Sequence, residues 1–197
     1  MPRTFTFCIK NILLLLMMCF GLPRASAQLS PGSIQTSHGK IGFYEFRPAG
    51  YNPDSSYHYP LIIFLHGVGE RGNGTTDLPL VFAHALPKLL KNGASMQFVV
   101  NGQPHAFLVL MPQMTKDYIN WQNFYIDEMM GYAKKNLNID TNKIFLTGWS
   151  LGGGGAWKYA TFSETNASRV AGILLAAASP DYTELCNLAK GKVAVWA

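Results

Sequence analysis

Lys143-Ile144-Phe145-Leu146-Thr147 runs directly into Gly148-Trp149-Ser150-Leu151-Gly152, and Leu151 to Phe162 follows as a helical stretch. Few short segments constrain a fold so tightly. A buried strand, then G-x-S-x-G, then a helix places the serine on a sharp, strained turn with its hydroxyl projecting above a sheet. A Cβ at Gly148 or Gly152 would crowd the neighbouring strand or helix, so the pattern needs glycine at both positions. The chemistry such a turn serves is acyl transfer through a serine ester, with Ser150 as the nucleophile. The bland alternative is a tight glycine-lined turn with an idle serine.

The remaining sequence alternates strands and helices. Lys40 to Arg47 alternates apolar and polar residues and reads as an early antiparallel strand. Ala49 to Tyr59, rich in Pro, Asn, Asp and Ser, reads as a loop. Pro60 to Leu65 is continuously apolar, which suits a strand buried on both faces, and Phe107 to Met111 is a second such run. Asp77 is placed to cap a helix with Pro79 in its first turn, broken at Pro87. Phe124 to Leu137 carries apolar residues on one helical face at Ile126, Met129, Met130, Ala133 and Leu137. Val170 to Ala176 and Val193 to Trp196 read as further buried strands. The four glycines from Gly152 to Gly155 weaken the helix after Ser150 by about 1 kcal/mol each relative to alanine, which close backbone packing would offset. The expectation is an α/β fold with a mostly parallel sheet and helices on both faces.

The amino terminus reads as a secretory signal. Arg3 and Lys10 precede the apolar stretch Ile12 to Leu22, which is short for a membrane span, and Ala25-Ser26-Ala27 is a small-residue cleavage site. The expected organisation is a signal over residues 1–27 and one domain over 28–197, secreted or periplasmic, with no stable membrane anchor after cleavage. The net charge of +5 does not survive this reading: without Arg3, Lys10 and Arg24 the chain keeps 13 basic residues against 11 acidic. No basic run interleaves with aromatics, so nucleic acid is not an expected partner. Cys8 and Cys19 lie in the signal and only Cys186 remains, so no internal disulfide is expected in an exported chain. Stability must come from one apolar core.

Ester chemistry at Ser150 creates an oxyanion that needs two preorganised N–H donors. One is expected from Leu151, at the start of the helix. The other is expected from the loop His66-Gly67-Val68-Gly69, which closes the Pro60 to Leu65 strand, most simply from Val68. His66 and Gly67 support that loop. Arg71 either orders the loop together with Glu70 or faces the substrate's acyl or leaving group. Trp149 adjoins the nucleophile and lines either a substrate pocket or the core, as do Trp121 and Tyr118. No His, Cys and carboxylate cluster has metal-ligand spacing, and no cofactor is expected. In the chain order associated with this turn, the acid and then the histidine follow the serine. All five histidines, His38, His58, His66, His84 and His105, precede it. Asp181 follows the Val170 to Ala176 strand and reads either as a turn residue or as the acid.

Phe64 to Gly72, Pro112-Gln113, Trp121 and Ile144 to Gly153 resemble the motifs of one branch of the α/β-hydrolase superfamily. Its members are secreted carboxylesterase-like enzymes, also described as predicted peptidases or polyhydroxybutyrate-depolymerase-like esterases. The resemblance runs from about Lys40 to the end. It implies an α/β-hydrolase fold and a small-molecule or polymer ester as substrate. It also implies a catalytic Asp in the loop after a strand like Val193 to Ala197, with His further on. The chain is therefore expected to be incomplete at its carboxyl end and to show little turnover by itself. The alternatives are a peptidase, or a non-catalytic exported binding protein on the same fold.

Overall fold

The computed structural model describes residues 26–178 and 184–197. The expected signal up to residue 25, and Asp181, lie outside the described residues.

A seven-stranded sheet runs through the molecule in the order β1-β2-β6-β3-β7-β8-β9. Its members are β1 (Gln28–Thr36), β2 (Gly39–Arg47), β3 (Tyr59–Leu65), β6 (Leu108–Pro112), β7 (Ile139–Trp149), β8 (Gly172–Ala176) and β9 (Ala194–Trp196). β1 pairs antiparallel with β2, and β2 antiparallel with β6. The pairs from β6 through β3, β7 and β8 to β9 are all parallel. A separate hairpin joins β4 (Gln97–Val100) to β5 (Gln103–Ala106).

The continuous apolar runs explain the centre. Side chains alternate across a strand, so a strand covered on both faces is apolar at every position. Leu61, Ile63 and Leu65 of β3 and Leu108 and Leu110 of β6 point into one core. Phe64, Val109 and Met111 point into a second core on the opposite face. The first core is covered by α2 (Asn123–Asn136), through Tyr125, Ile126, Met129, Met130 and Ala133, and by α3 (Leu151–Phe162), through Ala156, Trp157, Tyr159 and Ala160. The second is covered by a 3₁₀ helix, Leu78–Ala83, and by α1 (Ala85–Lys91). Short helices α4 (Glu164–Ala167) and α5 (Leu185–Gly191) flank β8 in sequence. Helices lie on both faces of a mostly parallel sheet, as the alternation implied. Among the described residues no helix is long and apolar enough to cross a membrane.

Two expectations are corrected. The helix expected to break at Pro87 breaks earlier, at His84 and Ala85, where Ala85 takes φ 51°. Pro87 then falls in the first turn of α1, where a missing N–H costs nothing. β9 is not a buried strand: Val195 and Trp196 are 41% and 58% exposed. The reason is position. Among the described residues β9 is the outermost strand of the sheet and pairs with β8 alone.

Candidate active site

Ser150 stands alone at the corner between β7 and α3, with φ 52° and ψ −116°. A non-glycine residue in that region stores about 1–3 kcal/mol and persists only when its surroundings over-determine it. They do so here. The Ser150 N–H donates to Ala176 O at 2.8 Å, and the Gly154 N–H donates to Ser150 O at 3.2 Å. The flanking glycines are close-approach positions. A Cβ on Gly152 would lie 1.8 Å from Leu65 O, and one on Gly148 would lie 2.2 Å from the carbonyl carbon of Gly152. The first turn of α3 is therefore pressed backbone to backbone against the end of β3, where the His66 loop starts.

His66 is buried and both its ring nitrogens are engaged. Nε2 accepts the Met114 N–H at 2.9 Å. A backbone N–H only donates, so Nε2 is unprotonated and Nδ1 carries the hydrogen, donating it to Gly67 O at 2.7 Å. The Trp121 indole N–H holds His66 O at 3.0 Å. The C=O of Gly67 and the N–H of Val68 belong to one planar peptide and point in opposite directions. Tying Gly67 O to the His66 ring thus turns the Val68 N–H away from it. Val68 opens a short 3₁₀ helix and Leu151 opens α3. First-turn N–H groups have no intrahelical acceptor, so both can serve as donors to a bound group. A Cβ on Gly67 would lie 3.0 Å from Trp149 Cδ1, which shows how closely this loop packs on the elbow.

Burial pulls the His66 pKa down to about 4, outweighing the bond to Gly67; the charge of Arg71 adds to the depression. Between that value and the ordinary 6.5 the unfolded chain binds the proton and the folded chain does not. His66 therefore contributes stability that is complete above pH 6.5 and is lost on acidification toward pH 4. Lowering the pH from 7.5 to 5 is expected to remove about 2 kcal/mol by this route. Urea unfolding at the two pH values checks it, with a smaller loss expected in His66→Gln; equal losses in the two proteins would contradict it.

Arg71 is taken up by the loops rather than by the cleft. Its Nε donates to Val68 O at 3.1 Å and its Nη1 to Tyr118 O at 3.0 Å, which ties the candidate oxyanion loop to the segment before Trp121. Glu70 is buried; its Oε1 lies 3.5 Å from His84 Nε2, and its Oε2 has no hydrogen-bond partner among the described residues. Gln113 organises the same loop. Its amide donates to Glu70 O at 2.9 Å and Asp77 O at 2.8 Å, and its Oε1 accepts the Gly74 N–H at 2.9 Å. The motif Pro112-Gln113 carries no visible role in the sequence, and neither does His84. No local signal marks His84, because its link to Glu70 depends on the 3₁₀ helix between them.

A cleft of about 680 Å³ opens at Ser150, lined by Leu151, Trp121, Asn120, Gly154 and Trp157 among others. Trp149 does not line it. That indole is 37% exposed and stands beside His84, with ring centroids 6.1 Å apart. Among the described residues no histidine hydrogen-bonds the Ser150 hydroxyl. His38 stacks on Phe124, His58 holds Asn138, His66 and His84 are placed as above, and His105 pairs with Phe98 across the small hairpin.

No family model matches the chain, and no curated protein matches it in sequence. Solved structures do match. A thermostable esterase superposes with TM-score 0.61 at 21% identity, over 85% of this chain and 45% of its own. The feruloyl esterase module from Clostridium thermocellum, as an S954A mutant complexed with sinapinate, gives 0.56 at 15%, over 86% and 62%. An S-formylglutathione hydrolase from Staphylococcus aureus gives 0.55 at 17%, over 85% and 66%. Strand order, parallel pairing and these superpositions define the α/β-hydrolase fold. The chain spans less than two thirds of the length of each of these three structures.

Proposed function

We propose that this protein is an exported serine hydrolase that cleaves carboxylic esters through an acyl-enzyme on Ser150. The observation that carries the reading is the backbone of Ser150 itself, strained at φ 52° and ψ −116° on a one-residue corner that opens on a cleft. Ser150 Oγ attacks the ester carbonyl while a base removes its proton. The developing oxyanion is held by the Val68 and Leu151 N–H groups, each worth about 3 kcal/mol of transition-state stabilisation. Collapse expels the alcohol, and water repeats the sequence to release the acid. The base this chemistry calls for is a histidine oriented by an aspartate, in the chain order Ser, Asp, His. The reaction needs no metal or organic cofactor.

The names of the superposed structures favour esters over peptides as substrates. The narrower likeness, to polyhydroxybutyrate-depolymerase-like esterases, rests on the motifs of the two loops, and export rests on the composition of residues 1–27. The test is hydrolysis of p-nitrophenyl acetate by the full-length protein with and without Ser150→Ala. Saturable, Ser150-dependent turnover is expected. Equal rates in the two proteins would remove Ser150 from the mechanism and favour a non-catalytic binding protein on the same fold.

A further inference from the structure

Four consecutive glycines open α3, and packing explains three of them. A Cβ on Gly152 would meet Leu65 O at 1.8 Å, one on Gly153 would meet Ala178 Cβ at 2.6 Å, and one on Gly155 would meet Trp121 Cβ at 2.6 Å. Gly154 is different. Among the described residues a Cβ there meets nothing within 4 Å, and its φ is not positive. Neither space nor backbone conformation calls for glycine, and glycine within a helix is penalised against alanine through its greater loss of backbone freedom.

Gly154 and Gly155 both line the cleft that holds Ser150, and of the two only Gly154 has open space where a Cβ would stand. Residues i and i+4 share a helix face, and the Gly154 N–H closes the first α3 hydrogen bond, onto Ser150 O at 3.2 Å. A side chain at 154 would stand in the cleft directly beside the nucleophile. The cleft, at about 680 Å³, is of the size that binds whole small molecules rather than an acetyl group.

We propose that Gly154 is a specificity-determining position, whose missing side chain leaves room for the larger of the two groups flanking the scissile ester. The inference rests on the serine-hydrolase reading and adds to it a substrate class: esters with one bulky arm lying along the first turn of α3, between Gly154 and the wall formed by Asn120 and Trp121.

The experiment compares full-length wild type, Gly154→Ala and Gly154→Phe on two ester series. One varies the acyl group from acetyl to benzoyl with a p-nitrophenol leaving group. The other varies the alcohol from methanol to benzyl alcohol with a fixed acetyl group. In at least one series the ratio of kcat/KM for the bulky ester to that for the small one is expected to fall ten-fold or more in Gly154→Phe. The same direction, with a smaller change, is expected in Gly154→Ala, whose melting temperature should equal or exceed that of wild type because the added methyl has room. If Gly154→Phe does not fold, Gly154→Ala carries the test. Unchanged ratios in both series in a folded variant would overturn the inference. Absence of any Ser150-dependent hydrolysis in wild type would instead remove the underlying reading, and this inference with it.

Discussion

Ser150→Ala is expected to lower kcat/KM of the full-length protein for p-nitrophenyl esters by roughly 10⁴-fold or more. Without the hydroxyl there is no acyl-enzyme, and the remaining path is direct attack by water on an ester held at two N–H groups. Serine hydrolases stripped of their nucleophile keep only the residual acceleration from binding and the oxyanion hole, so the loss is large and the rate that remains is not zero. Stability should barely move. Alanine and serine suffer alike at φ 52°, and the anchoring bonds, from the Ser150 N–H to Ala176 O and from the Gly154 N–H to Ser150 O, are backbone bonds that the substitution leaves intact. A large fall in activity with an unchanged urea midpoint therefore separates chemistry from folding. A fall in both would mean that the hydroxyl supports the fold instead.

Gly152→Ala is expected to do the reverse, destabilising by about 3 kcal/mol or more, at the upper end of what overpacking costs. The added methyl would sit 1.8 Å from Leu65 O, 2.3 Å from its carbonyl carbon and 2.7 Å from His66 O. All three obstacles are main-chain atoms, so no side chain can rotate aside. Relief requires α3 to separate from the end of β3, which moves Ser150 and the His66 loop apart together. A comparison with Gly155→Ala sharpens the point, because there the obstacle is the Trp121 side chain. Urea denaturation measures both: a lower midpoint with an unchanged m-value for Gly152→Ala supports the account. An unperturbed midpoint would mean that the elbow is looser than its geometry states.

The elbow was legible because a strand, a turn and a helix each leave a local signature, and here all three are adjacent. Leu151–Phe162 forms as a helix over the span read from the sequence, and β3 and β6 announce themselves by unbroken apolar runs. β7 is longer than its apolar stretch because it also takes in the polar residues Asp140, Thr141, Asn142 and Lys143, the last three exposed, where no periodicity marks a strand. β1 contains Pro31, Gly32 and Ser33, a loop-like composition, and exists through its pairing with β2. The β4–β5 hairpin, absent from the expected elements, has its local signal in Asn101-Gly102, both at positive φ as a tight hairpin turn requires. Gln113 and the Glu70–His84 pair were out of reach for a different reason. Their partners lie many residues away, and only the folded loops and the 3₁₀ helix Leu78–Ala83 bring them together. Gly154 was hidden among its neighbours, since composition cannot tell a glycine demanded by contact from one that faces a cleft.

The central claim is tested most directly by locating a covalent label. The full-length protein is treated with a fluorophosphonate probe, digested, and the modified residue identified by mass spectrometry. The account predicts a single adduct on the peptide containing Gly148 to Gly152, with the phosphorus on Ser150. A label confined to any other residue, or an unmodified Ser150 in protein that hydrolyses p-nitrophenyl esters, would contradict it.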